Sequence, residues 1–202
     1  MLDSAGYAIE RQYDALLFHY YWTVPYLGSA PGEDGKLQVP SILGTGIALK
    51  YSWKWNTTAS SPDIRYTLEA MNRFSGTEMD PLNQDPAREL LHRLKATLPS
   101  IDLTWSNHFF STLYDHDRSK YMEESKAGAR FTTTVMMAVE FVEKGPVTKT
   151  YFIPRKLGHG HGQIPIAMWE DSLAQLDPQN AARGAMYEFM KTDPEGRLLS
   201  PL

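Results

Sequence analysis

Apolar and polar positions recur at two different periods along this chain, and the changes of period mark its elements. From Ser4 to Tyr26 the run "SAGYAIERQYDALLFHYYW" has helical spacing, with Ser4 placed to cap an amphipathic helix. A Gly/Pro-rich loop, "GSAPGEDGK", follows. Two alternating runs, "IALKYSWKWN" and "DIRYTLEAM", then read as strands separated by the turn-rich "TTASSP". "DPLNQDPARELLHRLKATLP" opens a helix, with Asp85 as N-cap, Pro86 at the first helical position and Glu89 in the first turn. A second helix begins near Asp102 or Thr104 in "SIDLTWSNHFFSTLY", and the polar "DHDRSKYMEES" reads as a surface loop. The order then repeats. "ARFTTTVMMAVEFVEK" and "VTKTYFIPRK" are strand-like and joined at "KGP", and helical segments follow at "PIAMWEDSLAQL" and "NAARGAMYEFMKT".

The chain therefore reads as a helix followed by two ββαα units, with little sequence identity between them. Strands joined by short turns pair antiparallel, and the helices cover one face, so the expected class is α+β. A four-stranded open sheet has two edges, which predicts a homodimer or an otherwise covered edge.

Composition narrows the function. In 202 residues, 42% hydrophobic and 22% charged, there is material for one ordinary domain, taken as 1–202. A net charge of −4 argues against nucleic acid as the main partner. The absence of cysteine excludes disulfides and thiolate chemistry and suits a cytoplasmic setting. The N-terminus lacks the basic-then-apolar pattern of a secretory signal, and no apolar run approaches the ~18 residues of a membrane span, so no membrane partner is expected. Aromatic residues make up 12% of the chain, with five tryptophans and eleven tyrosines. They suit either a large aromatic core or a ring-lined pocket for a flat or cationic ligand.

Six stretches carry a resemblance: "YYWTVPYLG" (Tyr20–Gly28), "PSILGTGIALKYSWKWN" (Pro40–Asn56), "DIRYTLEAM" (Asp63–Met71), "DPLNQ" (Asp80–Gln84), "LPSIDLTWSNHF" (Leu98–Phe109) and "VTKTYFIPRK" (Val147–Lys156). In these and in their order the chain resembles the N-terminal half of fungal aromatic (indole) prenyltransferases of the dimethylallyltryptophan synthase family. The resemblance implies an antiparallel barrel ringed by helices, built from αββα units, of which this chain would form a part. It implies secondary metabolism, such as alkaloid biosynthesis. The expected partners are an indole-like aromatic and dimethylallyl diphosphate, with no cofactor and no metal. The chain departs from the family in two ways. Members are roughly twice as long, and "RLLSPL" falls where their second set of diphosphate-binding strands would begin. They also carry a glutamate, the proposed base that holds the indole N–H, where this chain has Lys50. A second catalytic lysine of the family would fall near Met136, in a run with no basic residue.

The resemblance places Arg65, Lys149 and Tyr151 on diphosphate-holding positions, Ile42 and Leu43 beside the aromatic substrate, and Lys50 at the catalytic position. On the residues alone, Lys149 and Tyr151 share a strand face and suit a polyanion together with Arg65, or they are solvated strand charges. Ile42 and Leu43 are equally ordinary packing residues. If Lys50 points inward, Tyr51, Trp53 and Trp55 pack under the helices as core, and Lys54 also faces inward. Alternation puts Thr132, Thr134, Met136, Ala138 and Glu140 on one face, where Glu140 is expected to pair with Lys50. His159 and His161, in "GHGHGQ", have a metal-ligand spacing but no third ligand near.

An ammonium cannot accept a proton from an indole N–H. Beside prenyl transfer, two alternatives follow. One is a repurposed cyclase or isomerase on the same scaffold using Lys50. The other is a non-catalytic truncated binding subunit.

Overall fold

A computed structural model describes residues 1–28, 32–33, 48–55, 61–114, 116–126, 133–153, 166–179, 184–185 and 188. Ile42, Leu43, Thr132, His159 and His161 lie outside these residues, as does nearly all of "NAARGAMYEFMKT". The chain sorts into two compact units, Met1–Ile101 with Arg130–Ile153, and Asp102–Ala129 with Pro154–Leu202.

The first unit is built on an antiparallel meander of β1 (Leu49–Lys54), β2 (Asp63–Leu68), β3 (Val135–Val142) and β4 (Gly145–Phe152), in the order β1-β2-β3-β4. Sequential pairing follows from the short connection between β3 and β4. Val142 pairs with Gly145, leaving only Glu143 and Lys144 in the loop, and Gly145 has φ +116°, which a side chain would strain. One face of the sheet is apolar. Ile64, Tyr66 and Leu68 of β2 and Val135, Met137, Val139 and Phe141 of β3 are buried there. Against this face lie α1 (Ile9–Phe18), through Phe18 on Phe141, and α2 (Asp85–Thr97), whose Leu90, Leu91 and Leu94 are buried.

The first predicted helix is broken into pieces. Ser4 sits inside a short 3-10 turn, Asp3–Ala5, that ends at Gly6 with φ +74°. Then α1 starts after Ala8 and passes into a π-helical turn, His19–Thr23, and a 3-10 turn, Val24–Tyr26, where Pro25 removes a donor. Tyr7, in the gap, spends its hydroxyl on the sheet. It donates to the Phe141 carbonyl at 2.6 Å and accepts from the Ile64 N–H at 2.9 Å. The amphipathic stripe of α1 is reversed from expectation: Ile9, Tyr13, Leu16 and Leu17 are exposed, as is Tyr20 in the π-helical turn, while Ala15 is buried.

Asp85 begins α2 but does not cap it. The carboxylate of Asp80 accepts from the N–H groups of Gln84 at 2.9 Å and Asp85 at 3.1 Å. Asn83, at φ +51°, and Gln84 bind the hydroxyls of Thr133 at 2.9 Å and Thr134 at 2.8 Å, and Thr133 donates to Glu69. "DPLNQ" is thus a buried clamp between the start of α2 and the entry to β3.

In the second unit, α3 (Thr104–Thr112) is capped by Asp102, which accepts from the Thr104 N–H at 2.9 Å. It packs on α5 (Ile166–Leu176) through Phe109 and Trp169, with ring centroids 5.9 Å apart. The segment read as a polar loop forms α4 (Arg118–Lys126). Asp117 caps it, accepting from the Ser119 N–H at 3.0 Å, a local signal that its polar composition obscures. No helix among the described residues is long and apolar enough to cross a membrane.

Candidate functional site

The second face of the sheet carries the candidate residues, and strand register decides which of them meet. Residues directly opposite in an antiparallel pair lie on the same side. Ser52, Arg65, Glu140 and Val147 therefore form one row across the sheet. The next row is Lys50, Thr67, Ala138 and Lys149, and Tyr151 lies one row further on, opposite Met136. Lys50, Lys54, Arg65, Lys149 and Tyr151 share this face, as the alternation requires.

Glu140 is the centre of the arrangement. Its side chain is 3% exposed, and three cations from three other strands converge on it. Lys149 Nζ donates to Oε1 at 2.6 Å, Lys54 Nζ donates to Oε2 at 3.1 Å, and Arg65 Nη1 stands 3.8 Å from Oε1. Arg65 is also held through its Nε–H, which donates to Ser52 Oγ at 2.9 Å. The cations themselves reach solvent, with side-chain exposures of 34% for Lys54, 38% for Arg65 and 41% for Lys149.

Burial pushes the Glu140 carboxyl up, but the hydrogen-bonded ammonium groups of Lys149 and Lys54 outweigh it, and the group titrates below its ordinary value. A carboxyl held lower in the folded chain than in the unfolded one adds stability that is complete above the unfolded value, about pH 4.3, and is lost as pH falls through the folded one. The melting midpoint is therefore expected to drop as pH is lowered from about 4.3, and to do so less steeply in Glu140→Gln. Calorimetric melts between neutral pH and pH 3 measure this.

The expected pairing of Glu140 with Lys50 does not form. Lys50 and Lys54 stand at the same offset from Glu140, one row and two strands away on either side of Ser52, but it is Lys54 that reaches the carboxylate, while the Lys50 side chain is exposed. Among the described residues it makes no ion pair. Lys50 and Lys149 end the same row, three strand spacings apart, or roughly 14 Å between backbones.

The tryptophans of β1 are not core. Tyr51 is 46% exposed, Trp53 40% and Trp55, just past the strand, 64%, whereas Leu49 at the start of the same outer strand is buried. Tyr51 leans on His19 and Tyr66, while Trp53 and Trp55 face each other at 6.2 Å. Among the described residues, no group of three metal-ligating side chains is assembled.

Sequence reasoning missed the place of Lys54 and Glu140 in the cationic cluster. Parity put both on the right face, and register brings Glu140 within one row of Lys50 and Lys54 alike; the course of the side chains, which parity does not record, selects Lys54.

The tryptophan dimethylallyltransferase family model matches residues 1–201. Prenyltransferase anuH of Penicillium roqueforti is 58% identical over 202 residues, covering all of this chain and 45% of that protein. Xanthone prenyltransferase A of Emericella nidulans is 48% identical over 204 residues, again covering all of this chain and 45% of the relative. This chain thus spans less than half the length of these relatives. Among solved structures, AnaPT from Neosartorya fischeri superposes with a TM-score of 0.80 at 22% identity, over 94% of this chain and 49% of that one. NotF, solved in complex with brevianamide F and DMSPP, superposes with a TM-score of 0.72 at 21% identity, over 89% of this chain and 44% of that one. The α+β architecture is the one these prenyltransferases share over the matched half.

Proposed function

The chain belongs to the tryptophan dimethylallyltransferase family, and on that premise we propose that it binds dimethylallyl diphosphate and an aromatic acceptor and takes part in prenyl transfer between them. The observation that carries this reading is the convergence of Arg65, Lys149 and Lys54 on one sheet face that also bears Tyr151 and Lys50. A guanidinium fork, two ammonium groups and a phenol suit a diphosphate, and they stabilise the charge that builds on pyrophosphate as the allylic C–O bond breaks. The aromatic ring supplies the electron pair for the new C–C bond, and the ring proton then leaves to pyrophosphate or water. The cyclase and binding-subunit alternatives are not favoured, since the relatives are named as prenyltransferases.

Lys50 bears on the acceptor. NotF is named with brevianamide F and the Emericella nidulans relative with a xanthone. A xanthone offers ring oxygens and no N–H. An ammonium donates hydrogen bonds and accepts none, so Lys50 suits an oxygen-bearing aromatic better than an indole N–H. Ile42 and Leu43 are assigned to the flank of that ring on the strength of the family resemblance. A homodimer formed through the outer strands β1 or β4, and a cytoplasmic place in secondary metabolism, complete the reading.

Calorimetric titration with an unreactive thio-analogue of dimethylallyl diphosphate tests it. Binding is expected to weaken with salt, and to fall about tenfold in Arg65→Ala and in Lys149→Ala, as the loss of one charge-assisted contact at a partly solvated site requires. Absence of binding, or binding indifferent to both substitutions, overturns the diphosphate site. Light scattering on the same samples reports the mass, and a single-chain mass at high concentration removes the dimer.

A further inference from the structure

We infer that Glu140 is a positioning residue that gathers Lys54, Arg65 and Lys149 into one pyrophosphate-holding cluster, in which Lys54 is a third ligand to the diphosphate. The inference rests on the diphosphate site proposed above, makes Lys54 a ligand in its own right and adds Glu140 as the residue that holds the cations together. Each strand contributes one member: Lys54 from β1, Arg65 from β2, Glu140 from β3 and Lys149 from β4.

A carboxylate buried to 3% exposure costs several kcal/mol in desolvation unless it is paired, and this one is paired three times. Glu140 offsets one of the three cations and Asp63, opposite Lys54, lies at the edge of the cluster, so cations still exceed carboxylates and the excess positive charge centres on Arg65 and Lys149, where it attracts an anion. The geometry separates the two roles. Glu140 lies beneath, inaccessible to a ligand, and the cations rise past it with a third or more of each side chain open. A lysine ammonium has three donors. Lys54 and Lys149 each direct a donor to Glu140, one to each carboxylate oxygen, which leaves donors for an incoming diphosphate. Three like charges brought this close repel one another, and without the carboxylate between them their flexible stems carry them apart into solvent. The arrangement places cations from opposite sides of the row, β1 and β4, around a centre on β3. That suits an anion with two phosphate groups better than one with a single group.

The test measures the affinities of inorganic pyrophosphate and orthophosphate for the full chain and for Lys54→Met and Glu140→Gln, with melting curves as a folding control. Lys54→Met is expected to weaken pyrophosphate about tenfold while changing orthophosphate much less. Glu140→Gln is expected to weaken pyrophosphate by a similar factor although it removes a negative charge from the site. That sign discriminates. Tighter binding in Glu140→Gln means the carboxylate merely repels the ligand, and the positioning role is overturned. A lower melting midpoint with unchanged affinity of the folded protein means a structural role only, which also overturns it. Wild-type binding unchanged in Lys54→Met removes Lys54 as a ligand and leaves the Arg65–Lys149 site standing. Should Glu140→Gln not fold, Lys54→Met decides, since its side chain lies outside the core. Failure of the wild type to bind pyrophosphate takes down the diphosphate site and this inference together.

Discussion

Replacing Tyr66 with alanine is expected to lower stability by about 3–5 kcal/mol, the loss typical of a large buried ring that leaves a cavity. Tyr66 lies at the middle of β2 with 0% exposure. Its ring meets His19 edge-on at 5.5 Å, Tyr51 at 5.6 Å and Phe141 at 5.8 Å, so it joins the π-helical turn after α1 to three strands. Its hydroxyl is hydrogen-bonded to the buried Thr23. Burial holds that hydroxyl above the usual phenol range, so it stays protonated throughout the physiological range. A domain with a total stability of about 5–15 kcal/mol cannot absorb such a loss without a large shift of its denaturation midpoint. Tyr66→Phe keeps the ring and removes only the hydroxyl, and is expected to cost about 1 kcal/mol. Urea denaturation of the two variants measures both values, and equal midpoints would show that the ring packing contributes little.

Lys50→Met is expected to reduce the proposed prenyl transfer by about 10²-fold or more, the scale associated with a positioned proton donor or acceptor. The loss should fall on the acceptor. Affinity for the thio-diphosphate analogue should stay within about twofold, because Lys50 stands roughly 14 Å from Lys149 along its row and makes no contact with Glu140. Lys50→Glu is expected to shift preference from oxygen-bearing acceptors toward indoles, since a carboxylate accepts from an N–H and repels a phenolate. Product analysis with a paired set of phenolic and indole acceptors reads this directly. Retention of full activity in Lys50→Met would remove Lys50 from the chemistry and leave it a solvated strand residue.

Much of the architecture follows from local chemistry. Period-two alternation located all four strands, because a sheet with one buried face demands it, and the "KGP" turn forced antiparallel pairing of the last two. Helix starts were legible where a carboxylate lies near the first turn, although Asp80 rather than Asp85 does the capping of α2. The α4 segment was not legible, since a short helix that buries Tyr121 among polar residues has no repeating stripe to detect. Parity also grouped Lys50 with Lys54 and Lys149 with Tyr151, and the family resemblance turned these and Arg65 to one side, where the pairing of the strands puts them.

The sequence by itself therefore determined the order of the strands, the charged residues that share a face within each strand, and the family. Only the tertiary structure decided which charges meet. Register is a long-range property: it puts Glu140 in the row of Arg65 and within one row of Lys50, Lys54 and Lys149, and the course of the side chains then joins it to Lys54 and Lys149 and leaves Lys50 in solvent. It also decided that the tryptophans of β1 stay exposed, because burial of an outer strand depends on what covers it, and no alternation within the strand records that.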